Sequence, residues 1–174
     1  SKDPQVQQMS TWVKQFESQR QEFATERHKQ FDKAVGDVHK LLDNHKESYA
    51  LDQAARASLL ADDKKAFRAE PWVDALVKQT AAMAEQFDKN EQWLKAMRLY
   101  ADLSSIEPSV PEWKDKLKIA TRRIRLLAMY NPDEFKRIQE LESNDRESVD
   151  ALIKPTTQPS KATTKPVIDD RDDS

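Results

Sequence analysis

The residues best spaced for chemistry are four cations, Lys114, Lys118, Arg122 and Arg125. They recur at i, i+4, i+8 and i+11, so on a helix they form one basic stripe, with Arg123 beside it. Such a row binds phosphates, an acidic tail or an acidic partner through charge-assisted hydrogen bonds. It has no interleaved aromatics on which bases could stack, so nucleic acid is not the expected ligand. The ordinary role of a stripe of this kind is a solvated face.

Other chemistry is harder to build from this chain. No two of His28, His39 and His45 stand three or four apart, the spacing that puts two metal ligands on one helical face. Carboxylates are interleaved with cations, as in Glu17, Arg20, Glu22 and Arg27, which is the pattern of a salt-bridged exposed face. There is no cysteine, hence no disulfide framework and no thiolate site, and the compartment stays open. Gly36 is the one glycine of the 174 residues. Phosphate-cradling loops, nucleophile elbows and dinucleotide folds need glycines where the backbone takes positive φ or approaches a ligand. The chain is therefore expected to be non-catalytic, with no cofactor and no metal.

The elements that carry these residues read as helices throughout. Hydrophobic residues make up 37% and charged residues 34%, with mean hydropathy −0.90, which suits helical repeats and coiled coils. A net charge of −2 gives no global pull toward nucleic acid or anionic membrane. No apolar run is long enough to span a bilayer. The start at Ser1-Lys2-Asp3-Pro4 carries no signal-peptide core, and its lack of Met predicts a chain processed or cut from something longer.

Residues 1–47 form one amphipathic arm. Val6, Met9, Val13, Phe16 and Phe23 mark an apolar stripe. After Arg27 the spacing predicts a phase slip, with Phe31, Val35, Val38, Leu42 and Tyr49 continuing it. A helix from Pro4 to about Lys46 would be on the order of 60 Å long. Its stripe needs a cover, either the helix beginning near Tyr49 or a second chain, so a homodimer through the arm is one expectation.

Residues 48–153 read as helical hairpins. Leu51, Ala54, Ala55, Leu59 and Leu60 mark one face, Asp62-Asp63-Lys64-Lys65 a solvated turn, and Phe67 an anchor. From Pro71, the faces are Trp72, Leu76, Thr80, Met83 and Phe87, then Trp93, Ala96, Met97, Tyr100 and Leu103. Ser109-Val110-Pro111-Glu112 predicts a capping box, opening a helix with Trp113, Leu117, Ala120, Ile124 and Leu127 inward. Asn131-Pro132-Asp133-Glu134 opens another by the same logic, and Asn144 to Ile153 a short last one. Short turns between such helices give antiparallel hairpins. Residues 154–174 change to Pro, Thr, Ser and Lys and end in an aspartate cluster, which predicts a disordered tail or linker.

The stretch from Val77 to Pro108 resembles a tetratricopeptide repeat unit. Met83, Ala84 and Phe87 fall on its first helix, Ala96 and Tyr100 on its second, and Pro108 closes it. Thr80 stands where a larger residue is usual and Leu103 where a small one is. The strings Leu60-Ala61-Asp62-Asp63, Phe67-Arg68-Ala69-Glu70-Pro71-Trp72-Val73 and Arg125-Leu126-Leu127-Ala128-Met129-Tyr130-Asn131-Pro132 resemble the helical region ahead of the catalytic domain in some bacterial carboxyl-terminal-processing serine proteases. No active-site residue is carried over, because that family's serine and lysine lie in a further domain.

Together these readings predict an all-α, repeat-like scaffold with a long N-terminal helix, serving protein–protein interaction or domain positioning. The partner would be another protein or a downstream domain of the same polypeptide. The alternatives are an accessory region of a secreted bacterial serine protease, and an anion or nucleic-acid binding module using the 114–125 face. Of the four tryptophans, Trp72, Trp93 and Trp113 read as packing anchors, and Trp12, with fewest local apolar partners, as the interface candidate.

Overall fold

The computed structural model describes residues 3–155. Among the described residues seven helices follow one another: α1 (Pro4–Asp43), α2 (Glu47–Leu60), α3 (Lys64–Ala69), α4 (Pro71–Lys89), α5 (Trp93–Ile106), α6 (Pro111–Tyr130) and α7 (Pro132–Ile153). There is no strand among the described residues, so the chain is all-α. The tail expected over 154–174 lies, from residue 156 onward, outside them.

Proline sets four of the helix starts. Pro4, Pro71, Pro111 and Pro132 each occupy the first helical position, where the missing N–H would have no intrahelical partner anyway. Side-chain caps satisfy some of the remaining donors. The Asp3 carboxylate accepts from the Gln5 N–H at 3.0 Å, and that of Asp63 from the N–H groups of Lys65 and Ala66, both at 2.9 Å. The Asn131 side chain accepts from the Glu134 N–H at 3.3 Å.

Four local expectations are corrected. The Asp62–Lys65 stretch is not simply a solvated turn, because the Asp63 cap starts the short helix α3 there. The capping box at Ser109 does not form: Val110 is the cap residue of α6, with no side-chain bond. The break expected at Asn144 is absent, and α7 runs 22 residues from Pro132 to Ile153. Leu59 points outward, while Ala50 and Ala57 join the buried face of α2.

α2 lies at the centre of the packing and touches α1, α3, α4 and α5. Its buried face is small: Ala50, Ala54 and Ala57 are fully enclosed around Leu51, so the neighbouring helices approach closely. Val38 and Leu41 of α1, Val73 and Leu76 of α4, and Leu99, Tyr100 and Leu103 of α5 complete the core. Each fully buried Leu or Val of this set contributes about 1.5–3 kcal/mol of transfer free energy. Phe67 is buried as expected, edge-on to Phe31 and Trp72 at 5.8 and 5.6 Å. Arg68 beside it clamps α3 to the α5–α6 turn and α4, donating to Glu107 at 2.9 Å and to Asp74 at 3.1 Å. From α5 the packing passes to α6 and then to α7, which also reaches α1 and α5.

The turns between helices dispense with glycine. His45, after α1, and Glu91, after α4, hold φ values of 55° and 59°, the left-handed region where an L side chain costs roughly 1–2 kcal/mol. Gly36 stands instead inside α1, on its exposed side.

Candidate functional site

α1 divides sharply along its length. Every described residue from Asp3 to Gln30 is exposed, and Phe31 is the first that is not. Val6, Met9, Val13 and Phe16 stand in solvent, with Trp12 at 65% and Phe23 at 75% exposure. The Trp12 and Phe16 rings stack at 5.7 Å but meet no other element among the described residues. The cover expected from the helix near Tyr49 therefore reaches only the C-terminal third of α1. The boundary is marked by an ion pair between Arg27 and Asp62, which follows α2. No phase slip is needed to continue the stripe. Eighteen residues make five turns of a 3.6-residue helix. Val13, Phe16 and Phe23 thus stand at the same angular positions as Phe31, Ala34 and Leu41, which pack into the core.

α6 presents a second exposed face. Ala120 and Ile124 are buried, with Trp113 and Leu117 half-buried beside them. That orientation sends Lys114, Lys118, Arg122 and Arg125 to the solvent side, where all four are exposed. Lys118 has a loose ion pair with Asp115 at 3.7 Å. Lys114, Arg122 and Arg125 have no carboxylate within 4.0 Å among the described residues. Arg123 leaves the stripe: it bonds Asp88 at 2.6 Å and lies over the Trp93 ring. Sequence reasoning missed that the stripe is not purely basic. Ile119, Leu126, Met129 and Tyr130 are exposed on the same side of α6, the last two at 73% and 81%. The available signal was the recurrence of Leu126 seven residues after Ile119, with Met129 and Tyr130 three and four residues further on.

Trp72, Trp93 and Trp113 are half-buried. The Trp113 indole N–H donates to Glu107 at 2.8 Å, and Lys116 sits over both its ring and that of Tyr100. Burial works to lower the Lys116 pKa, but hydrogen bonds to Glu112 and Glu85 outweigh it and hold the ammonium above its ordinary value.

A third group gathers where α2, α5 and α7 meet. Arg98 bonds Glu142 of α7 and lies 4.0 Å from the Tyr49 ring centroid. Arg146 of α7 faces Asp52 of α2 at 3.7 Å. Asp102 sits among them with one carboxylate oxygen buried and unbonded. Burial, reinforced by the charge of Asp52 and opposed by Arg98 and Arg146, pushes its pKa up to about 7. These residues come from three separate segments, and nothing in local spacing announces them. The cluster fixes α7 to the body. Among the described residues no group of three or more His, Asp or Glu is placed to hold a metal ion, and no helix is long and apolar enough to cross a membrane.

Comparison with known proteins returns no match, whether to a family model, a curated protein or a solved structure.

Proposed function

We propose that this chain is a non-catalytic helical scaffold that binds protein partners or positions a neighbouring domain through exposed helix faces. The observation that carries the reading is the outer face of α6. Exposed Ile119, Leu126, Met129 and Tyr130 alternate there with Lys118 and Arg122, while the core closes without any of them. Large apolar side chains interleaved with cations suit an acidic protein segment that also carries apolar anchors. Long cationic stems cover apolar surface while their heads reach for carboxylates. The tetratricopeptide-like α4–α5 unit fits the same role, with Ala84 and Ala96 both fully buried in it.

The competing reading is anion binding by the cations Lys114, Arg122 and Arg125, which have no carboxylate partner among the described residues. The two differ in what a charge-preserving change does. Selection of peptides on the immobilised chain, followed by titration at low and high salt, tests them. The scaffold reading expects acidic peptides with aliphatic or aromatic anchors, bound with modest salt dependence and weakened in Leu126→Ala and Met129→Ala. Binding of heparin or single-stranded DNA that falls steeply with salt, and is unmoved by Leu126→Ala and Met129→Ala, would establish the anion reading instead.

A further inference from the structure

We infer that the exposed stripe of α1 pairs with a second copy of this chain, the two helices running antiparallel through residues 4–25 about an axis between Lys14 and Gln15. The inference rests on the interaction-scaffold reading and names one partner for it.

Continuity comes first. The free stripe is the outward extension of a docking face that α1 already uses. Residues eighteen apart share an angular position, so Val13, Phe16, Arg20 and Phe23 repeat the placement of Phe31, Ala34, Val38 and Leu41, which lie against the core. The intramolecular cover on that face runs out at the Arg27–Asp62 pair. A helix laid on the free stripe takes up the same face where α2 and α3 leave it.

The sequence of the stripe then selects the direction. Its seam is Val6, Met9, Val13, Phe16, Arg20 and Phe23, a spacing of three and four that suits two helices packed side by side. A parallel, in-register pair would set Arg20 against its own copy inside the seam, enclosing two like charges. The antiparallel pair removes that conflict. Val6 faces Phe23 of the second copy, Val13 faces Phe16, and Arg20 faces Met9, whose flexible thioether accommodates the arginine stem. The guanidinium then emerges beside Trp12 of the second copy, a good cation–π acceptor.

Charge and size agree. Between residues 3 and 30, Asp3, Glu17, Glu22 and Glu26 balance Lys14, Arg20, Arg27 and Lys29, so no net repulsion opposes pairing. Three aromatics, a methionine and two valines per copy, with their flanks, give an interface on the order of 1,000–1,500 Å² in total, at the lower end of specific complexes. The product is a reversible, concentration-dependent dimer. In this register Phe31 of each copy lies past Pro4, the first helical residue of α1 in the other, so the two bodies sit at opposite ends of the paired segment.

The test uses the full chain, which has no cysteine of its own. Sedimentation equilibrium from micromolar to near-millimolar concentration is expected to show a monomer–dimer equilibrium. Phe16→Glu, which brings charges into the central layers, should weaken it by about 100-fold or more, with unchanged circular dichroism per residue because the site is outside the core. Chains carrying Val6→Cys and Phe23→Cys should cross-link when mixed under mild oxidation and not when oxidised separately. Self-cross-linking of Val6→Cys alone would overturn the antiparallel register. A chain monomeric at every concentration would overturn the second-copy assignment, while the peptide selection on α6 would still decide the scaffold reading independently.

Discussion

Phe31 meets Phe67 edge-on at 5.8 Å, whereas Phe23, eight residues earlier on the same helix, is 75% exposed and meets nothing outside α1 among the described residues. The border between the docked and the free part of α1 falls between these two rings. Phe67→Ala should therefore cost about 3–5 kcal/mol, the range for emptying a buried aromatic site. Phe23→Ala should stay within about 0.5 kcal/mol in dilute solution. Urea denaturation of the two variants at low protein concentration checks the contrast.

Backbone economy offers a second prediction. A Cβ added at Gly36 meets nothing within 4 Å, and the residue is helical, so Gly36→Ala should stabilise the chain by about 0.5–1 kcal/mol. Glu91, at φ 59°, is the converse case, where Glu91→Gly should gain about 0.5–1 kcal/mol by relieving a left-handed side chain. Equilibrium unfolding of each variant, and of the pair together, would show the two gains adding.

The α4–α5 pairing makes a third. Ala96 is fully enclosed and Tyr100 nearly so. Ala96→Leu should overpack and cost about 1–3 kcal/mol, and Tyr100→Ala should cost about 3–5 kcal/mol by opening a cavity. Lys89→Ala, at the exposed end of α4, should be silent. Midpoints of thermal unfolding would rank the three.

Asp102 gives a prediction in pH. Its folded pKa, raised to about 7 by burial and by Asp52 against the pull of Arg98 and Arg146, lies above the ordinary carboxylate value. The folded state thus favours the neutral acid, and its contribution to stability is full below about pH 4 and declines as pH rises toward 7. Asp102→Asn mimics the neutral form. It should be nearly neutral at pH 4 and stabilising at pH 8, by roughly 1–3 kcal/mol. Denaturation midpoints of the variant and the parent chain across that range check the divergence.

Much of this architecture is legible in the residues. Pro71, Pro111 and Pro132 mark helix starts, Asn131 caps α7 as its spacing to Glu134 requires, and the inner faces of α4, α5 and α6 follow the apolar period. What was not legible depended on context. Asn144 and Asp145 look like a break, yet α7 passes through them because Val149 and Ile153 beyond are held against the body. Ser109 lost the cap of α6 to the placement of Val110. Leu59 faces water because α2 buries alanines on its packed side. The Arg98, Asp102, Glu142 and Arg146 cluster unites α5 and α7 across a long sequence separation. Of the two exposed faces, the cations on α6 and Trp12 on α1 were visible in the sequence. The apolar residues among those cations emerged only when the outer side of α6 was fixed by burial of Ala120 and Ile124.

α1 splits into a docked part and a free part, for which a second copy of the chain is the proposed partner. Hydrogen exchange of the α1 amides as a function of protein concentration tests it most directly. Residues 31–43 should exchange with the core at every concentration, because they open only with it. Residues 4–27 should exchange close to the rate of an isolated helix in dilute solution and gain protection as concentration rises. Strong protection of residues 4–27 that does not change with concentration would mean that the stripe is covered within its own chain, and would contradict the account.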